Sequence, residues 1–181
     1  ASPVIRVADT DYNADRVIEC IEKAEAEGVK VIVFPELTLT GASCYDLVTH
    51  GVLLKGAEKS LVKVVKATEG TDILSIVGLP CAVNGMALYS VAAVIYDGEL
   101  LGIVPRTNVT GTKFQSGEGC DLPVRFDGID DAVSFERNLV FQHENLPELC
   151  VAVELGNDAK SICAPANKMA LAGATVIASM A

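Results

Sequence analysis

A mostly apolar run, Val29 to Phe34, ends abruptly in Pro35-Glu36. It reads as a buried strand that delivers one carboxylate at its C-terminal end, the end of an α/β sheet where ligands bind. A carboxylate held there can serve as a general base; the plain alternative is an exposed acid on a loop. A second candidate strand, 99–104, is followed by Pro105-Arg106, and taken alone that cation is a hairpin-end surface charge. A third, 149–154, runs into Leu155-Gly156-Asn157-Asp158. The six cysteines (Cys20, Cys44, Cys81, Cys120, Cys150, Cys163) are scattered and form no CxxC. Zinc ribbons and thioredoxin-type redox chemistry are therefore disfavoured, and free, buried, cytosolic thiols are expected. The two histidines, His50 and His143, lie far apart, so a His-rich metal site is not expected and no metal is assigned.

These groups need a scaffold. Asn13 can cap a helix carrying Val17, Ile18, Ile21 and Ala24 on one face, and Gly28 is placed to end it. A second helix is expected over roughly 45–66, with Leu54, Ala57, Leu61, Val64 and Val65 at helical spacing. Strand 73–78 is expected to end at Gly78-Leu79-Pro80. Asn84-Gly85 then opens a turn into strand 87–96, and Asp97-Gly98 is a hairpin signal before 99–104. Residues 107–136, rich in Gly, Asp and Thr, read as loops. Strands return at 138–142 and 149–154, Pro165 starts a short helix ending near Gly173, and a last strand begins at Thr175. This alternation predicts a layered α/β protein.

At 181 residues one domain with a sizeable core is expected. Half the residues are hydrophobic and the mean hydropathy is +0.38. No apolar run approaches the roughly 18 residues of a membrane span, so the excess marks sheets buried on both faces or a hydrophobic partner surface. A net charge of −10 argues against nucleic acid or an anionic membrane as partner. The first residues show no signal peptide, and a cytoplasmic setting is expected.

Beyond single residues, Phe34-Pro35-Glu36-Leu37-Thr38-Leu39-Thr40-Gly41 followed by Ser43-Cys44-x-Asp46-Leu47 closely resembles the glutaminase domain of glutamine-dependent NAD+ synthetases, a branch of the nitrilase (carbon-nitrogen hydrolase) superfamily. The resemblance spans roughly residues 7–178 and is weakest over 112–135. It implies an α-β-β-α sandwich and amide hydrolysis through a thioester. In that chemistry a Cys thiolate attacks, a Glu handles the proton, and a Lys with a backbone N–H stabilises the oxyanion. By resemblance Glu36 is the base. Arg106 stands in Gly102-Ile103-Val104-Pro105-Arg106-Thr107 where relatives have Lys, a change that keeps the charge but not the shape. Ala170 to Ala178 matches the family's ALAGATVIA without a gap, which puts Gly156 at the position of the nucleophile. Asn157 replaces the adjacent Glu and Lys160 a Trp, while Glu154 and Asp158 remain. Ser90 stands for an Asn after Leu88-Tyr89. Tyr89, Asn157 and Asp158 are assigned to substrate binding, and Glu118 to the family's second active-site Glu. Cys163, seven residues after Gly156, and Cys150, six before it, lie on the order of 20 Å away if extended, outside attack range.

The resemblance implies a domain that hydrolyses glutamine, or a related amide, and passes ammonia to a synthetase partner. With both reactive groups replaced, this chain is expected to be inactive or nearly so. It reads as a single nitrilase-like domain incomplete on its C-terminal side, or as a fragment of a longer product. ATP, Mg and the NAD precursor would belong to an absent synthetase domain, and no cofactor is assigned to this one. Homo-oligomers are expected, as in nitrilase-fold proteins. Two further readings stay open: a non-catalytic assembly module, and an amidase using a displaced Cys.

Overall fold

The computed structural model describes residues 1–83, 85 and 87–181. Helices α1 (Thr10–Ala26) and α2 (Gly51–Ala67) cover one face of a six-stranded sheet. That sheet contains β1 (Val31–Val33), β2 (Leu74–Val83), β3 (Ala87–Tyr96), β4 (Glu99–Pro105), β5 (Asp121–Val124) and β6 (Val133–Glu136), in the order β1-β2-β3-β4-β6-β5. A second sheet, β7 (Val140–His143), β8 (Leu146–Leu155) and β9 (Val176–Met180), stacks on the other face, and α3 (Pro165–Leu171) packs on β8. The layers are helix, sheet, sheet, helix.

Strand alternation explains the two cores. On β3, Val91, Ala93 and Ile95 pack toward α1 and α2, while Ala92 and Val94 pack with Val151, Val153 and Leu155 of β8 between the sheets. Both faces of the central strands are therefore buried, which accounts for the high hydropathy without a membrane; among the described residues no helix is long and apolar enough to cross one.

Several boundaries differ from the sequence expectation. The N-cap of α1 is Asp9, whose carboxylate accepts from Tyr12 N; Asn13 lies inside the helix. Buried Asn13 instead bridges outward, accepting from Arg6 N at 2.7 Å and donating to Arg6 O and Leu39 O at 2.8 and 3.1 Å. The expected helix over 45–66 is two pieces: a 3-10 stretch, Ala42–Thr49, and α2, which starts after extended His50. β2 does not stop at Gly78 but runs through Pro80. Ile76 O and Gly78 O accept from Phe34 N and Leu39 N, so even-numbered residues of β2 point their backbone groups away from β3. The missing N–H of Pro80 falls on that edge, past the last β1 pair, and breaks no ladder bond. Residues 107–136 are not all loop: β5 and β6 pair antiparallel, and Ile103 of β4 pairs with Phe135. The expected turn at Asn84-Gly85 includes Asn84, outside the described residues.

Candidate functional site

After β1 the chain does not turn away. Pro35, Glu36 and Leu37 cross the face of β2 at Gly78, and Leu39 N donates to Gly78 O at 3.1 Å. Leu37 takes a positive φ of 58° to make the crossing, and Thr38 Oγ1 donates to Pro35 O at 2.6 Å. This path presents the Glu36 carboxylate at the end of the sheet.

Two neighbours hold it there. Ser90, on β3, is fully buried and its Oγ donates to Glu36 Oε1 at 2.5 Å. Arg106, immediately after β4, donates from Nη1 to Glu36 Oε1 and Oε2 at 3.1 and 3.4 Å and from Nε to Asn108 O at 2.8 Å. The ion pair is nearly buried, with the two side chains 9% and 11% exposed. At the end of β8, Gly156 faces both: an added Cβ there would lie 2.6 Å from Glu36 Oε2, 2.8 Å from Arg106 Cζ and 3.0 Å from Arg106 Nε. The structure thus brings Glu36, Arg106 and Gly156 to one point from three strand ends. A cavity of about 400 Å³ opens beside them, with Glu36, Arg106, Thr38, Ile5, Leu37 and Phe114 among its lining residues.

Asp158 is 1% exposed and turns inward. Its Oδ1 accepts from Thr107 Oγ1 at 2.8 Å and Asn108 N at 2.5 Å, both oxygens accept from Thr107 N at 3.1 Å, and Oδ2 accepts from Leu155 N at 3.4 Å. It ties the Arg106-Thr107-Asn108 segment to the Gly156 turn and has no place on the cavity wall.

Other sequence candidates lie elsewhere. Tyr89, next to Ser90 but of opposite strand parity, points into the helix-side core, edge-on to Phe135 at 5.1 Å between centroids. Glu118 is exposed and pairs with Arg137 at 3.2 Å. Asn157 is exposed, and only its backbone carbonyl is engaged, by Asn108 Nδ2 at 3.0 Å. Sequence reasoning missed the contact of Ser90 with Glu36; the strand alternation that buries Tyr89 was the available signal.

All six cysteines are free, and none lines this cavity. Cys150 sits midway along β8, six extended residues or on the order of 20 Å from Gly156. Cys81 lines a separate cavity of about 760 Å³ between α2, β2 and β5, where burial pushes its thiol up to about 12. Alkylation at pH 8 will therefore label exposed Cys163 in the native protein and leave Cys81 untouched until denaturant is added, as peptide mapping by mass spectrometry will show.

No protein-family model matches the chain. It is 33% identical over 183 residues to the glutamine-dependent NAD(+) synthetase of Mycobacterium tuberculosis, a match covering 96% of this chain and 26% of the relative. The chain spans about a quarter of the length of the curated relatives it matches across. Among solved structures, a glutamine-dependent NAD(+) synthetase from Cytophaga hutchinsonii superposes with a TM-score of 0.78 at 16% identity, covering 98% of this chain and 29% of that one. A variant of the Nesterenkonia amidase, described as of the nitrilase superfamily, gives a TM-score of 0.67 at 16% identity over 98% of this chain and 63% of its own. By sequence the chain is a homologue of a segment making up about a quarter of glutamine-dependent NAD(+) synthetases, and it shares the fold of those synthetases and of the nitrilase-superfamily amidase.

Proposed function

We propose that this chain is a glutamine-amidase scaffold of the NAD+ synthetase type whose own hydrolytic step has been lost. One observation carries the reading: the residue facing both Glu36 and Arg106 is a glycine. A thioester needs a nucleophilic side chain at that point, and Gly156 offers none. Glu36 is in the place of the general base, but its carboxylate is engaged by Ser90 and by the Arg106 ion pair. Arg106 is in the place of the oxyanion-stabilising cation, and its rigid fork is directed at Glu36. The ligand in this reading is glutamine or a related amide held against the 400 Å³ cavity. ATP, Mg and the NAD precursor act on a synthetase partner and not here. The unpaired thiols fit work in the cytoplasm.

The test is ammonia release from glutamine. The purified chain is expected to give no release above buffer, whereas Arg106→Lys combined with Gly156→Cys restores measurable release if only the reactive groups are missing. Turnover by the unchanged chain at an ordinary enzymatic rate, on the order of 1 per second or more, would overturn the proposal.

A second reading, an assembly module, draws on the almost fully exposed Ile162 and Leu171 and the partly exposed Val176, apolar side chains beside and within α3 and β9. Sedimentation analysis of the wild-type chain against Leu171→Glu distinguishes it: a stable oligomer dispersed by the substitution supports assembly, and a monomer excludes self-assembly.

A further inference from the structure

The Arg106 guanidinium and the bare backbone of Gly156 fit each other closely enough to carry a consequence of their own. An ideal Cβ on Gly156 approaches three atoms at 3.0 Å or less, and all three belong to the Glu36–Arg106 pair. Real Cβ contacts at such distances force a neighbour to move. Each of those neighbours is fixed. Glu36 is held by Ser90 Oγ and by the guanidinium, and Arg106 is held by Glu36 at one end of its fork and by Asn108 O at the other. The segment carrying Thr107 and Asn108 is in turn fastened by buried Asp158.

We infer that Arg106 is a plug: it occupies the volume a side chain at position 156 requires, so Arg106 and Gly156 are a mutually dependent pair. This rests on the proposed reading only for naming what the lost side chain once did. The steric coupling stands on the geometry alone. A side chain introduced at 156 has two ways to fit. It can be refused, with strain in the turn after β8, or it can displace the guanidinium into the 400 Å³ cavity, which opens the ion pair and leaves the nearly buried Glu36 carboxylate without its cation. Both routes cost stability. Lysine at 106 removes two of the three close contacts, those with Arg106 Cζ and Nε, and its freely rotating ammonium lets the Glu36 carboxylate turn away from position 156 while keeping a cation. A side chain at 156 and arginine at 106 are therefore incompatible without a penalty in stability.

The test is a double-mutant cycle on thermal unfolding, with no substrate in the assay. The four proteins are wild type, Gly156→Ala, Arg106→Lys and the double variant. Gly156 has a φ of 53°, so any residue there carries some backbone strain, but that strain is common to both backgrounds and cancels in the cycle. Gly156→Ala is expected to lower the unfolding midpoint by roughly 5 °C or more in the Arg106 background and by less than about half as much in the Arg106→Lys background. If Gly156→Ala alone yields no soluble protein, recovery of folded protein in the double variant supports the pair equally. Equal losses in the two backgrounds, no loss in either, or a double variant no better folded than Gly156→Ala alone would overturn it. Failure of the glutaminase reading looks different: the cycle shows coupling, yet Arg106→Lys with Gly156→Cys releases no ammonia.

Discussion

Gly78→Ala will lower the unfolding free energy by at least about 3 kcal/mol in a urea titration, more than most single methyl additions to a surface or core. The methyl group has nowhere to go. Its carbon would meet Pro35 O at 2.5 Å, Leu37 N at 2.6 Å and Glu36 Cα at 2.9 Å. All three are backbone atoms, so no rotamer change can make room. The crossing segment is also tied on both sides, by Phe34 N to Ile76 O and by Leu39 N to Gly78 O. Relief would require lifting the Pro35–Leu37 crossing off β2, which carries Glu36 away from Ser90 and Arg106. The variant should therefore lose stability and site geometry together, and chemical shifts of the Glu36, Ser90 and Arg106 backbone amides will move in the residual folded fraction. A Gly78→Ala protein within about 1 kcal/mol of wild type would show that the crossing can rise at little cost.

Gly78 also shows what a single sequence conceals. It reads as a strand end because glycine and the nearby Pro80 look like punctuation. In the fold both are interior to β2, one because another backbone lies across it and the other because its missing N–H faces an unpaired edge. A glycine inside a strand pattern is a known mark of close backbone approach, but one sequence does not say which segment approaches.

The long apolar strands were legible for the converse reason. β3 and the second half of β8 bury residues of both parities, and packing leaves no other reading of runs such as Val91 to Ile95. The short pair β5 and β6 was not. Four residues each, with Pro123 inside one of them, are too few for even the alternation of Val133-Ser134-Phe135-Glu136 to stand out from a loop background.

The site divides along the same line. Glu36, Arg106 and Gly156 could be placed because flanking scaffold residues fix their register, and the fold brings the three together. Asp158 is assigned to substrate binding through the family resemblance alone. Its acceptors are satisfied by distant backbone amides, which no local spacing reveals. Asn13 went the same way: an amide at a helix start suggests a cap, while its real partners, Arg6 and Leu39, are joined only by the tertiary fold.

Asp158 carries the second large effect. Removing its carboxylate by Asp158→Ala leaves three backbone N–H groups, those of Thr107, Asn108 and Leu155, and the Thr107 hydroxyl without the acceptor they share. Buried donors left unmatched cost about 1–3 kcal/mol each, and partial access of water to the Thr107 segment reduces the sum, so a loss of about 3–5 kcal/mol is expected in urea unfolding. Asp158→Asn separates hydrogen bonding from shape. Its single oxygen can replace Oδ1 and keep Thr107 Oγ1 and Asn108 N, but its N–H2 then faces Leu155 N, donor against donor. The asparagine variant should fall between wild type and alanine, at about half the loss. The order matters more than the size. If the carboxylate merely filled space, asparagine would match wild type. If it acted as a solvent-facing ligand group, neither change would cost much stability. A graded loss, with alanine worst, is the result that follows from a carboxylate buried to fasten the segment carrying Arg106 to the turn carrying Gly156.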